Sequence, residues 1–128
     1  MVIDIFCHVI PSKYATALEK MAATRKIPPF DNIFLRELQT PGMIDMKARF
    51  KLMDNHPEVR EVLSVTGPFL ETIAKPKDAI ELARLANNEV AELITKYPDR
   101  FAAGVAFLPY NDIEATLGEI DRAIKELK

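Results

Sequence analysis

ARLANNEVAELITKYPDRFAAGVAFLP, residues 83–109, is the stretch whose reading decides the fold. Its first half runs at helical period. Together with Ile80, the residues Ala83, Ala86 or Asn87, Val90 and Ile94 fall on one face. Pro76 suits the first turn of that helix, and Tyr97-Pro98-Asp99 closes it. The second half, FAAGVAFLP over 101–109, is a short apolar run carrying Val105, Phe107 and Leu108, and it reads as a strand. A helix over 76–97 that delivers the chain into such a strand is the return half of a crossover between parallel strands.

Working outward, the same alternation recurs. REVLSVT, residues 60–66, is a second strand with Val62, Leu63 and Val65, stopped by Gly67-Pro68. Before it, Met43–Met53 reads as a helix. Met46, Phe50 and Met53 form its apolar stripe, with Lys47, Arg49 and Lys51 off it. His56-Pro57 ends that element, since the residue before a proline resists helix. Residues 2–7 form a first strand that stops before Pro11. Pro11 and Ser12 then open a helix with Tyr14, Leu18 and Met21 on one face. Residues 26–42 read as a surface excursion with one helical turn in DNIFLREL. At the far end, Asn111 or Asp112 caps a last helix through Leu127.

This order predicts an α/β fold of three consecutive βα units with parallel strands, right-handed crossovers and helices outside. Val62, Leu63, Val65, Val105 and Phe107 are expected to be largely buried. Three strands are a poor stopping point, because a parallel sheet needs both faces covered and its edges managed. Residues 1–128 therefore read as a single partial domain, the first part of a (β/α)8 TIM barrel of about 250 residues.

The 128 residues are 48% hydrophobic and 28% charged, which is a globular composition. Seventeen basic and 19 acidic residues leave a net charge of -2, mixed along the chain. A general nucleic-acid binder needs a basic face, so that class is set aside. No uncharged run approaches the ~18 apolar residues of a membrane span. The start, MVIDIFCHVIP, lacks a basic region and carries Asp4 and His8, so it makes a poor signal peptide. Cys7 is the lone cysteine and rules out an intrachain disulfide. These features predict a cytoplasmic protein.

Four segments, IDIFCHVIP, ARFKLMDNH, VLSVTGP and ARLANNEVAELITKYPDRFAAGVAFLP, carry a resemblance in order and spacing. The chain resembles the N-terminal part of TIM-barrel enzymes of the amidohydrolase superfamily, in the branch of aminocarboxymuconate-semialdehyde decarboxylase and the resorcylate-type decarboxylases. The resemblance implies a metal-dependent decarboxylase, hydratase or hydrolase of a small carboxylated or cyclic compound. It implies a divalent metal, commonly zinc, and a homo-oligomer or a second polypeptide completing the barrel. In that family the first strand ends in Asp-x-His-x-His, whose histidines sit at alternate positions and so share one side of the strand. Here the stretch is Asp4-Ile5-Phe6-Cys7-His8. His8 matches the second histidine and is the candidate metal ligand, while Phe6 stands in place of the first and cannot coordinate. Arg49, within ARFKLMD, matches an arginine that helps hold a substrate carboxylate, a task suited to a guanidinium fork.

Each residue also has a plainer reading. His8 is then a strand-end histidine satisfied by hydrogen bonds, and Arg49 a solvated helix arginine. Cys7 is a small buried apolar residue. Asn87 and Asn88 either bond a neighbouring loop or are exposed. Ser64, near the end of the second strand, lies where barrel sites form, but a nucleophile needs a histidine base in reach and the sequence indicates none. Tyr14, Phe30 and Phe69 are pocket-lining or core aromatics. The alternative function is a non-catalytic interaction module, or one subunit of a split barrel that has lost metal binding.

Overall fold

The computed structural model describes residues 1–24 and 39–127. Three strands, β1 (Val2–Val9), β2 (Val59–Val65) and β3 (Phe101–Val105), form one parallel sheet in the order β1-β2-β3. Helices separate them. α1 is Ser12–Thr24, α2 Pro41–Ile44, α3 Met46–Met53, α4 Leu70–Ile73, α5 Pro76–Lys96 and α6 Ile113–Arg122, which runs on into a π-helical turn over Ala123–Leu127. The expected helical turn at 31–38 lies outside the described residues.

Strand alternation divides the sheet into two faces. Cys7, Leu63 and Gly104 are register partners across the three strands on the face packed by helices. Leu63 there is fully buried, which stabilises by roughly 1.5–3 kcal/mol. With it pack Val9, Met53, Val90 and Phe101. A second cluster joins Ile10, Tyr14 and Leu18 to Leu70, Leu82, Ala83 and Ala86, so that α1 and α5 share one core. Gly104 is required by this packing. A Cβ there would meet Cγ1 of Val90 at 2.7 Å and Cδ1 of Ile94 at 3.0 Å.

Local chemistry sets the element ends. Asp45 divides the expected 43–53 helix into α2 and α3, because its carboxylate accepts from the Lys47 amide and caps α3. Asp112 rather than Asn111 caps α6, accepting from the Ala115 amide at 2.9 Å; Asn111 donates instead to the Ala74 carbonyl. The N-terminus of α1 is capped from a distance. Both oxygens of the buried Glu89 on α5 accept from its first turn, from the amides of Lys13 (3.0 Å) and Tyr14 (2.8 Å) and the hydroxyl of Ser12 (3.3 Å).

Two expectations need correction. Val105 is 51% exposed rather than buried, since it lies on the face that no described element covers. Val62, Val65 and Phe107 are half-buried. The third strand also stops at Val105, short of residue 109. Beyond it, the Phe107 amide donates to Oδ1 of Asn87 (2.7 Å) and the Phe107 carbonyl accepts from Nδ2 of Asn87 (2.9 Å). A side chain of α5 has replaced the neighbouring strand as the partner of this backbone.

Candidate functional site at the strand ends

His8 and Ser64 are the penultimate residues of β1 and β2 and are register partners. With Val105 they form a row across the uncovered face, at the C-terminal ends of parallel strands where barrel sites assemble. Oγ of Ser64 lies 2.9 Å from Nδ1 of His8 and donates to the Cys7 carbonyl at 3.4 Å. Sequence reasoning placed Ser64 at a strand end but indicated no histidine within its reach; His8 is that histidine. The signal was present in the strand ends. Each of the two residues stands one place before a final valine, Val9 or Val65, so aligning the parallel strands by their ends puts them side by side.

Phe6 lies beside His8, with ring centroids 4.8 Å apart and the planes at 68°. The shared side predicted for positions 6 and 8 is therefore observed. The strand is irregular just before it. From Asp4 to Cys7 β1 advances three residues, while its partner advances two, from Glu61 to Leu63. Such a bulge re-aims side chains. Here Ile5 (74%) and Phe6 (78%) are both exposed, where a regular strand would turn them to opposite faces. The Phe6 amide donates to Oδ1 of Asp4 at 3.0 Å, and this hydrogen bond holds the Asp4 carboxyl below its ordinary value.

Arg49 is buried, at 6% exposure, not solvated. Its Nη1 donates to the carbonyls of His8 (2.7 Å) and Gly42 (3.0 Å), while Nε and Nη2 both reach Oε2 of Glu61. Its guanidinium carbon sits 5.9 Å from the centre of the Phe101 ring. One side chain of α3 thereby joins β1, α2 and β2 behind the His8 position. Asp4, His8, Arg49, His56 and Glu61 line a cleft of about 400 Å³. Although both histidines border it, no group of three or more His, Cys, Asp or Glu residues that could hold a metal occurs among the described residues. His8 is one donor, Phe6 offers no lone pair, and Cys7 faces the helices. The residues present do not by themselves fit a divalent metal, which needs several protein ligands.

No family model matches the sequence. Individual proteins do. Gamma-resorcylate decarboxylase from Rhizobium radiobacter is 38% identical over 94 residues, 73% of this chain and 28% of that enzyme. A dihydroxybenzoic acid decarboxylase from Polaromonas sp. JS666, solved with manganese and the inhibitor 2-nitroresorcinol, superposes with a TM-score of 0.71 at 31% identity, over 98% of this chain and 35% of that one. The chain is homologous to the N-terminal portion of the amidohydrolase-superfamily decarboxylases. The 2-amino-3-carboxymuconate-6-semialdehyde decarboxylase of Dictyostelium discoideum extends the decarboxylase relationship along 98% of the chain, at 26% identity and over 37% of its own length. The chain thus spans about a third of these decarboxylases, and its three βα units are the first part of their TIM barrel. No described helix is long and apolar enough to cross a membrane.

Proposed function

We propose that this chain supplies the first βα units, and the first strand-end donor, of a decarboxylase barrel acting on a small hydroxylated aromatic carboxylate. The observation that carries the reading is the His8–Ser64 pair on the uncovered face at the strand ends, in a segment similar to decarboxylases along its length. Among the described residues, His8 is the candidate ligand for a divalent metal. The remaining ligands and strands come from a continuation of the chain, a second polypeptide or a second copy. Arg49 is assigned to positioning. Four of its five N–H donors are committed to Glu61 and two carbonyls, so it acts on the site through the His8 backbone. A two-bond grip on a substrate carboxylate would require displacing one of these partners.

Phe6 favours a second reading, a barrel subunit that keeps the shape and has lost the chemistry. One experiment separates the two. The chain is combined with a resorcylate decarboxylase lacking the matching N-terminal segment, and release of carbon dioxide from 2,6-dihydroxybenzoate is followed with added manganese. Release that disappears with His8→Ala and rises with Phe6→His supports the enzyme. A well-formed complex that is silent both with Phe6 and with Phe6→His supports the subunit reading.

A further inference from the structure

We propose that Phe69 and Tyr110 form an aromatic rim in the turns after β2 and β3, which binds the flat ring of the substrate and sets specificity for an aromatic over an aliphatic carboxylate. The chemical class of the ring rests on the proposed function; the rim is read from this chain. Of the aromatic residues that the sequence leaves between pocket and core, Tyr14 is fully buried, whereas Phe69 is 68% exposed. Tyr110, in the matching turn after β3, is 64% exposed. Among the described residues neither ring packs on another ring, and the Tyr110 hydroxyl has no hydrogen-bond partner. Both residues lie just past the C-terminal ends of parallel strands, the end at which His8 and Ser64 stand.

The backbone under each ring is pinned. The chain leaves β2 through Gly67, at a φ of 147° that other residues rarely adopt, and Pro68 follows. The Phe69 carbonyl then accepts from the amide of Thr72 (2.9 Å) and from its hydroxyl (2.7 Å), and the next residue, Leu70, is fully buried. On the other turn Pro109 is fully buried, and its carbonyl accepts from the Asp112 amide (3.1 Å) and the Thr116 hydroxyl (2.8 Å). Nδ2 of Asn111 donates to the Ala74 carbonyl at 3.0 Å and ties the two connections together. An exposed aromatic side chain on a fixed backbone loses little freedom when it binds. The chemistry of the two segments names the occupant. No charged residue occurs from Val62 to Leu70 or from Phe101 to Asn111, so this side of the site offers hydrocarbon and π-faces. The charged groups Asp4, Arg49 and Glu61 border the cleft beside His8 instead. A planar ring, which pairs with other rings edge to face or offset, fits the first surface.

The test uses the 128-residue chain with its aromatic side chains carbon-13 labelled, titrated with 2,6-dihydroxybenzoate, resorcinol or cyclohexane-1,3-diol. The ring signals of Phe69 and Tyr110 are expected to shift with the two aromatic compounds and not with the saturated diol. Phe69→Ala and Tyr110→Ala should each weaken resorcinol binding by roughly 2- to 10-fold, and Tyr110→Phe should restore it. Both side chains are exposed, so the alanine variants should melt with the unmodified chain. Three results overturn the proposal: ring signals that ignore resorcinol, an equal response to the saturated diol, or binding undiminished in both alanine variants. Signals that move with protein concentration alone would assign the rim to a second copy and overturn it too. Ring binding in a chain that releases no carbon dioxide in the complementation experiment fails the proposed function and leaves the rim standing. Release that both alanine variants keep in full fails the rim and leaves the function.

Discussion

Nε and Nη2 of Arg49 converge on a single oxygen of Glu61, at 2.7 and 2.6 Å, with the two side chains only 8% and 15% exposed. Removing one partner of such a pair leaves a charge buried and unmatched. Arg49→Ala is expected to cost about 3–5 kcal/mol. It also strips a donor from the carbonyls of His8 and Gly42. Arg49→Lys keeps the charge but lacks the fork, and recovers only part of the loss. Urea unfolding should show lower midpoints at unchanged slope. Equal midpoints for all three chains would remove Arg49 from the positioning role.

Glu119 on α6 makes acid stability testable. Burial opposes its charged form, but hydrogen bonds from Arg122 and Asn87 and the charges of Arg122 and Arg84 outweigh it, and the carboxyl titrates below its ordinary value. A carboxyl depressed in the folded state contributes stability above the ordinary glutamate range. That contribution fades as the pH falls through this range toward the folded value. The melting temperature of the unmodified chain should drop across that window, and Glu119→Gln should flatten the drop. Parallel curves for the two chains would count against the assignment.

Cys7 should be chemically quiet. Burial, and then its contact with Asp4, push the thiol up to about 12, and the side chain is 8% exposed. The thiolate is the reactive species. Ellman's reagent is expected to react slowly with the native chain and completely after denaturation. Rapid reaction in the native state would mean that β1 opens readily.

Gly104→Ala is expected to destabilise by about 1–3 kcal/mol, because the new methyl would meet Val90 and Ile94 on α5 at 2.7 and 3.0 Å. The companion change Val90→Ala makes room, so the pair should be less than additive. Additive melting shifts would show that α5 does not sit this close to β3.

Phe6→His places a second imidazole beside His8. In the 128-residue chain this is expected to raise zinc affinity only modestly, since two ligands fall short of a closed site. Metal analysis after gentle desalting should find no stoichiometric zinc in the unmodified chain. Stoichiometric zinc that is lost with His8→Ala would reveal ligands that the described residues do not provide.

How far the sequence could be read depended on the range of the interaction concerned. The α5 helix was readable almost to the residue, since Pro76 and Tyr97-Pro98 are local signals and its apolar face repeats at helical period. The same holds for Tyr14 and Leu18 on α1. Arg49 was harder. Its place off the α3 stripe suggests solvent, yet Glu61 lies 12 residues on and the His8 carbonyl 41 residues back. The end of β3 was misjudged for a similar reason, because FAAGVAFLP gives no sign that Asn87, 20 residues earlier, intercepts the backbone at Phe107. Val105 was misplaced because apolar sequence marks a surface that is to be covered, whichever part of the molecule covers it.

The Asn87 clamp changes what the rim of the site is measured against. Past Val105 the chain takes its position from a carboxamide on α5 and no longer from the strand ladder. The same amide nitrogen also donates to Glu119, so α6 is referred to the same point. Residues 106–109, α5 and the start of α6 therefore share one frame of reference. The β3 rim is thus positioned from a helix, whereas His8 and Ser64 are positioned by the β1–β2 ladder, so the two sides of the site answer to different parts of the fold.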